Sequence, residues 1–187
     1  LRREVGQPDA SSTVTVILPT LGDKLLKQAV TSVLEQSWPH VELLLVIDGP
    51  DALRPVLSRL EGMPRERIKI LPLPYNIGAG GFNGHRAFAA GAFLARGEWV
   101  TYLDEDNWLA RNHIESLVGL ATSRGLDWAY SLRWIVDKDD RISLKDNCTS
   151  LGIWPVYYGD SHHIDTSCYL IRKDIAGRFA HVWNRRG

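Results

Sequence analysis

The chain has 187 residues with 22 Lys and Arg against 22 Asp and Glu, so no net field draws it to nucleic acid or to a charged membrane. That length suits one domain with a substantial core, and without a long apolar run no transmembrane segment is expected. The 2 cysteines, Cys148 and Cys168, exclude a disulfide scaffold and lack metal-ligand spacing, which favours two buried thiols in a reducing, cytoplasmic compartment. Residues 1–12 are polar and patternless, a leader or linker. Thr13 to Leu18 is a β-branched run ending at Pro19-Thr20-Leu21-Gly22-Asp23, a first strand and its turn. Leu25, Leu26, Ala29, Val30, Val33 and Leu34 then recur at helical spacing, and Pro39 stops that helix.

Val41 to Ile47 reads as a second buried strand, ending on Asp48-Gly49-Pro50. Leu53, Val56, Leu57 and Leu60 mark another helix face, and Ile68 to Leu73 a third strand. The glycine-rich loop Asn76 to Gly84 follows, then a helix over His85 to Arg96. Trp99 to Leu103 is a fourth strand, running straight into Asp104, Glu105 and Asp106, and Arg111 to Arg124 is helical. Strands alternating with helices predict a parallel α/β sheet with right-handed crossovers. After Leu126 the pattern changes. Trp128 to Val136 reads as one strand, Asp137 to Asp140 as a hairpin turn, and Arg141 to Leu144 as its return. Tyr169 to Ile171 is a short strand before a helix over Lys173 to Phe179. These are expected as antiparallel additions along one edge of the parallel sheet.

The acid triplet is the centre of interest. Ligands of open parallel sheets collect beyond the carboxyl ends of the strands. Alternation points Asp104 and Asp106 the same way and Glu105 elsewhere. Two converging carboxylates repel unless a cation lies between them, and a hard divalent ion with oxygen ligands would serve. The plainer reading is a solvated acidic turn ahead of a helix, with Asn107 as its cap. Pro19-Thr20, Asp48 and the acid pair all fall at strand ends, outlining a crevice suited to a nucleotide whose diphosphate needs a metal.

The ordered set Val16-Ile-Leu-Pro-Thr20, Ala29-Val-x-Ser-Val-Leu-x-Gln36, Glu42-Leu-Leu-Leu-Val-Ile-Asp48, Asn76-x-Gly78 and Gly97-Glu-x-x-x-x-Leu-Asp-x-Asp106 resembles glycosyltransferase family 2. The resemblance implies a GT-A fold, a Rossmann-like mostly parallel sheet flanked by helices, over residues 13–187 as a single domain. Residues 1–126 would form the nucleotide-sugar half and 127–187 the acceptor half, cut short at its C-terminus. The start at Leu1 and the end at Gly187 read as a domain taken from a longer protein, whose other parts would supply any hold on a membrane surface.

By position, the resemblance implies that Pro19, Thr20, Leu21 and Asp48 hold the nucleoside, with Asn76 and Gly78 beside it. Asp104 would face the ribose and a Mn²⁺ or Mg²⁺ ion, and Asp106 would bind that ion. The donor would be a nucleotide sugar, a UDP-sugar first, and the acceptor a glycan, lipid-linked or protein hydroxyl. Two departures stand out: Gly49-Pro50 replaces the family's second acid and Gly-Ser, and the family's Ala-Arg-Asn is out of register with Gly91. Arg86, with His85 beside it, is the remaining base for the diphosphate.

Inverting transfer, which the resemblance implies, needs a base for the acceptor hydroxyl. Asp165, in His162-His-Ile-Asp165, is the first candidate, Asp146 the second, and Asp160 also stands nearby. His163 or His162 would complete a metal shell. Trp154-Pro-Val-Tyr-Tyr158, Arg133 and Trp134 offer aromatic and polar surface for a sugar. Two other readings compete. One is a non-catalytic sugar-nucleotide-binding or partner-binding domain. The other is an NAD(P) oxidoreductase, because Gly78 to Gly84 partly mimics a dinucleotide fingerprint with Asp104 about 20 residues on. Its third glycine falls one place late, however, and the loop follows the third strand instead of the first.

Overall fold

The structure, a computed structural model, describes residues 12–139, 141–146 and 164–186. Six strands form one sheet in the order β3-β2-β1-β4-β8-β5. The parallel part is β1 (Val14–Thr20), β2 (Val41–Ile47), β3 (Ile68–Pro72) and β4 (Trp99–Tyr102). Beyond β4, β8 (Tyr169–Arg172) pairs antiparallel with both β4 and β5 (Trp128–Tyr130), as expected for the sheet edge. Between strands run α1 (Leu26–Leu34), α2 (Pro50–Arg59), α3 (His85–Leu94) and α4 (His113–Arg124), and α5 (Lys173–Arg178) follows β8. Among the described residues, no helix is long and apolar enough to cross a membrane.

The near-continuous Val/Ile/Leu runs of β1 and β2 are explained by burial on both faces. Val14, Val16 and Leu18 join Leu43, Leu45 and Ile47 in a core under α1, α2 and α4. Ile17, Leu44 and Val46 face the other way, into a core with Phe88 and Ala92 of α3 and Ala176 of α5. Each fully buried side chain of this kind contributes about 1.5–3 kcal/mol. Close contact of α3 with β1 depends on Gly91, where a Cβ would lie 2.4 Å from Ile17 Cγ2.

The chain runs outward from β1 to β2 to β3, then returns to place β4 on the opposite side of β1. That reversal leaves a crevice at the carboxyl ends of β1 and β4, where open α/β sheets take their ligands. The acid-bearing strand is well anchored there. Trp99 and Tyr102 are buried on opposite faces, and Tyr102 meets Phe88 edge-on at 5.2 Å with Trp183 also at 5.2 Å.

Two predicted elements need correction. The single strand over Trp128 to Val136 is two: β5 stays in the main sheet, while β6 (Arg133–Val136) pairs with β7 (Ile142–Asp146) in a separate hairpin. The cause is loss of partner, because β8 begins only at Tyr169, after a 3-10 turn over Thr166–Cys168. Ser131 N makes the last bond of that ladder, to Cys168 O at 3.0 Å, and the chain then leaves the sheet. Helix α1 also ends before Pro39. Buried Gln36 donates through Nε2 to Ser32 O at 3.0 Å, satisfying a last-turn carbonyl, and to Ala110 O at 2.8 Å.

Candidate functional site

At the reversal lies a cleft of about 530 Å³. Its lining includes Pro19, Thr20, Leu21, Asp48, Asn76, Gly78, Asp104 and Asp106, so residues from the end of β1 and from the segments that follow β2, β3 and β4 converge on it. Arg86 is not part of that lining. Its guanidinium lies 3.3 Å from the Phe82 ring centroid, and Nε donates to Asn184 Oδ1 at 2.9 Å. His85 likewise turns to the chain end, with Nδ1 3.0 Å from Arg185 O. These two bases therefore brace the C-terminal segment, with Arg86 also stacked on Phe82 of the glycine-rich loop.

Asp48 has a structural task that its strand-end position did not reveal. It is buried, and its two oxygens accept from Ile77 N at 2.7 Å and Gly78 N at 2.9 Å. A carboxylate thus ties the glycine-rich loop to the end of β2. Gly78 is required by close approach, since a Cβ there would lie 2.2 Å from Asn83 O and 2.7 Å from Asp48 Oδ2. The Gly49-Pro50 departure has a local reason as well. Gly49 has φ of 104°, with Asn76 N 3.0 Å from where its Cβ would stand, and Pro50 occupies the first turn of α2.

The acid triplet does not follow strict alternation. The strand ends at Tyr102, and Asp104, Glu105 and Asp106 lie on a turn closed by Asn107 N to Asp104 O at 3.1 Å. All three line the same cleft. Glu105 is the residue that sequence reasoning missed. It accepts from Thr20 Oγ1 at 2.6 Å, Leu21 N at 3.1 Å, Gly22 N at 3.1 Å and Asp23 N at 2.8 Å. The middle acid therefore holds the turn after β1 in shape. Nor does Asn107 cap the next helix: α4 begins only at His113, and Asn107 Nδ2 donates to Ser167 Oγ at 3.4 Å.

Asp104 is the electrostatic centre. Burial first, then the charges of Asp165, Asp106 and Glu105, raise its carboxyl from 3.8 to about 7. Asp165 is thus brought close to the acid pair from across the sheet. It caps the 3-10 turn through Ser167 N to Oδ1 at 3.0 Å, and Oδ2 pairs with the Arg133 guanidinium. The register of the hairpin sets Asp146 opposite Arg133, although the Asp146 side chain lies outside the described residues. His162, His163, Asp160, Cys148 and the aromatic stretch Trp154 to Tyr158 also lie outside them. Cys168 is buried, as expected of it from the sequence.

Beside Asp165 is a narrower cleft of about 180 Å³, lined in part by Asn107, Trp108, His113, Ser131, Arg133 and Trp134. His113 Nε2 and Ser131 Oγ are buried there without hydrogen-bond partners among the described residues. Burial lowers the His113 imidazole from 6.5 to about 4, so at neutral pH it is uncharged. Buried polar atoms left unpaired are costly, and a polar ligand would satisfy them.

Residues 15–179 match the family model described as Glycosyl transferase family 2. The chain belongs to glycosyl transferase family 2. A curated relative, the glycosyltransferase GlyG of Streptococcus pneumoniae, is 25% identical over 131 residues, covering 70% of this chain and 42% of GlyG. The crystal structure of S. aureus TarS 1-349 in complex with UDP superposes with a TM-score of 0.62 at 15% identity, over 87% of this chain and 47% of that one. The mannosyltransferase PcManGT from Pyrobaculum calidifontis, in complex with GDP-Man and Mn²⁺, gives 0.58 at 17% identity, over 91% and 48%. The observed sheet is thus the GT-A fold that the resemblance implied. The chain spans under half the length of the curated family members that it matches.

The family also disposes of the dinucleotide reading. The glycine-rich loop follows β3, at the outer edge of the sheet, and its first glycine is packed against Asp48.

Proposed function

We propose that this chain is the catalytic domain of a metal-dependent, inverting glycosyltransferase that moves a sugar from a nucleoside-diphosphate sugar to an acceptor hydroxyl. The observation that carries the reading is the meeting of Asp104 and Asp106 in the cleft at the sheet's reversal point, where burial first, and then the charges of Asp165, Asp106 and Glu105, raise Asp104 to about 7. A freely solvated acidic turn would leave Asp104 at an ordinary carboxylate value, whereas here it is half-buried and raised.

The donor set fits a hard divalent cation. Among the described residues, no three His, Cys, Asp or Glu side chains close around one metal position. Mg²⁺ and Mn²⁺ sites of this kind need only one or two carboxylates, with substrate phosphates and water completing the shell. Asp104 and Asp106 would hold the ion, with His163 a further candidate. When bound, the ion supplies Lewis-acid stabilisation to the departing diphosphate. The complexes of TarS with UDP and of PcManGT with GDP-Man and Mn²⁺ support a nucleotide-sugar donor and a divalent ion.

The chain's own residues supply the remaining work. The Pro19-Leu21 turn, kept in shape by Glu105, and the loop tied by Asp48 would embrace the nucleoside. The acceptor would enter the narrower cleft, where His113 Nε2 and Ser131 Oγ await polar partners. Asp165, in the lining of the narrower cleft, would take the proton from the acceptor hydroxyl as it attacks the anomeric carbon. Arg133 and Ser167 N hold that carboxylate in place, and each oxygen keeps a second lone pair for the incoming proton. Asp146 is the alternative base.

A thermal-shift screen of UDP, GDP, CDP and their sugars, each with and without Mn²⁺, tests the reading. Stabilisation by one nucleotide that needs Mn²⁺ and disappears in Asp106→Ala is the expected result. Equal stabilisation in EDTA and in Mn²⁺ would overturn the metal-dependent reading.

A further inference from the structure

On the far side of Trp108 from the narrow cleft lies an open basin of about 540 Å³ between α1 and the strap Trp108 to Arg111. Trp108 lines both, and Asn107 lines both the narrow cleft and the acid cleft. The three depressions are therefore neighbours, joined through Asn107 and Trp108.

The walls of the outer basin are firmly built. Gln36, buried at 7% exposure, accepts from Ile114 N at 3.0 Å and donates to Ala110 O at 2.8 Å. Ser32 Oγ accepts from Leu109 N at 3.0 Å, and Arg111 O accepts from Ser37 N at 2.8 Å. The strap is thus pinned to α1 along its length.

Its charge is the opposite of the acid cleft's. Lys24, Lys27 and Arg111 line it against a single acid, Glu35, and no ion pair joins any of the three cations to a described residue. Two of them stand where helix electrostatics disfavour them. Lys24 and Lys27 flank the start of α1, whose first turn holds no acid, and the nearby Asp23 carboxylate is committed to Leu25 N at 2.8 Å. Cations gathered at the positive end of a helix repel it and one another, at a cost that an anion would reverse. An indole face beside such cations adds a surface for a sugar ring.

We infer that this basin is a distal acceptor subsite that binds an anionic sugar residue, one bearing a carboxylate or a phosphate. The inference rests on the proposed transfer reaction: the acceptor's reacting unit sits in the narrow cleft, and its neighbouring charged unit passes over Trp108 into the basin. The acceptor is accordingly an acidic saccharide.

The test uses the 187-residue chain labelled with ¹⁵N. Glucuronic acid and glucose 6-phosphate are titrated against glucose and inorganic phosphate, following the amide signals of Lys24, Lys27 and Arg111 and the Trp108 indole. One or both acidic sugars should shift these signals while glucose does not, and the stronger of the two names the anionic group. Lys27→Gln combined with Arg111→Gln should weaken that binding about tenfold or more. Equal shifts with glucose, no shifts with either acidic sugar, or inorganic phosphate binding as strongly as glucose 6-phosphate would each overturn the inference, the last by showing an adventitious ion only. UDP with Mn²⁺, read on the amides of Asp104 and Asp106, tests the transfer reading separately, so either can fail while the other stands. The double variant should leave that second titration unchanged.

Discussion

Lowering the pH from about 8 to about 5 should weaken Mn²⁺ binding to the nucleotide-free protein by about a hundredfold. The reason is competition with a proton. Asp104 stands at about 7 instead of 3.8 because it is half-buried and largely desolvated beside Asp165, Asp106 and Glu105. A shift of that size corresponds to about 4 kcal/mol against the ionised form in the metal-free fold. At about pH 8 the carboxylate is mostly ionised and ready to bind, while at about pH 5 only about one molecule in a hundred is. An ordinary aspartate would change little over the same range. The free-ion EPR signal of Mn²⁺ measures the affinity, and calorimetry in buffers of different ionisation enthalpy counts the proton released. Asp165→Asn, by removing one repelling charge, should move the midpoint toward acid. Burial, the larger cause, would keep it above the usual carboxylate range. The same linkage has a sign for stability. The folded pKa is raised above the unfolded value, so the metal-free fold favours protonated Asp104 and loses stability as pH rises from about 4 to about 7. Mn²⁺ should therefore raise Tm more at about pH 7.5 than at about pH 5.5. An Mn²⁺ affinity that is flat between about pH 5.5 and 8 would refute the reasoning.

Three further outcomes are expected. Glu105→Ala should destabilise the chain by about 1–3 kcal/mol, because several backbone donors of the β1 turn lose their acceptor, and should weaken nucleotide binding more than Mn²⁺ binding; denaturant melts and calorimetry check this. Asp48→Ala strands the Ile77 and Gly78 N–H groups and should cost about 1–3 kcal/mol along with nucleotide affinity, whereas Asp48→Asn, which keeps one acceptor oxygen, should recover part of both. Asp165→Asn should slow transfer by about 10²–10⁴ while donor and Mn²⁺ affinities show that the site still stands; parent-rate transfer in this variant would hand the base to Asp146.

Much of the architecture was legible in one dimension. β1, β2 and β4 are short apolar runs because both of their faces are covered, and such runs can be seen without knowing what covers them. Strand ends place Thr20, Asp48 and Asp104 on one rim as soon as the strands are parallel, so the cleft was implied by alternation of element types alone. Other features arise only from contacts distant in sequence. Glu105 reaches back to the turn after β1, Asp165 arrives beside Asp104 through an antiparallel strand, and Arg86 is drawn away by Asn184. β5 and β6 separate because β8 offers no partner past Tyr169, a limit set by another segment and invisible in the run itself. Residue type and spacing thus determined the sheet and the rim, since burial and periodicity are local properties of the chain. Which carboxylates meet, and which bases are spent elsewhere, was decided by the tertiary structure, because an electrostatic neighbour is defined by distance in space.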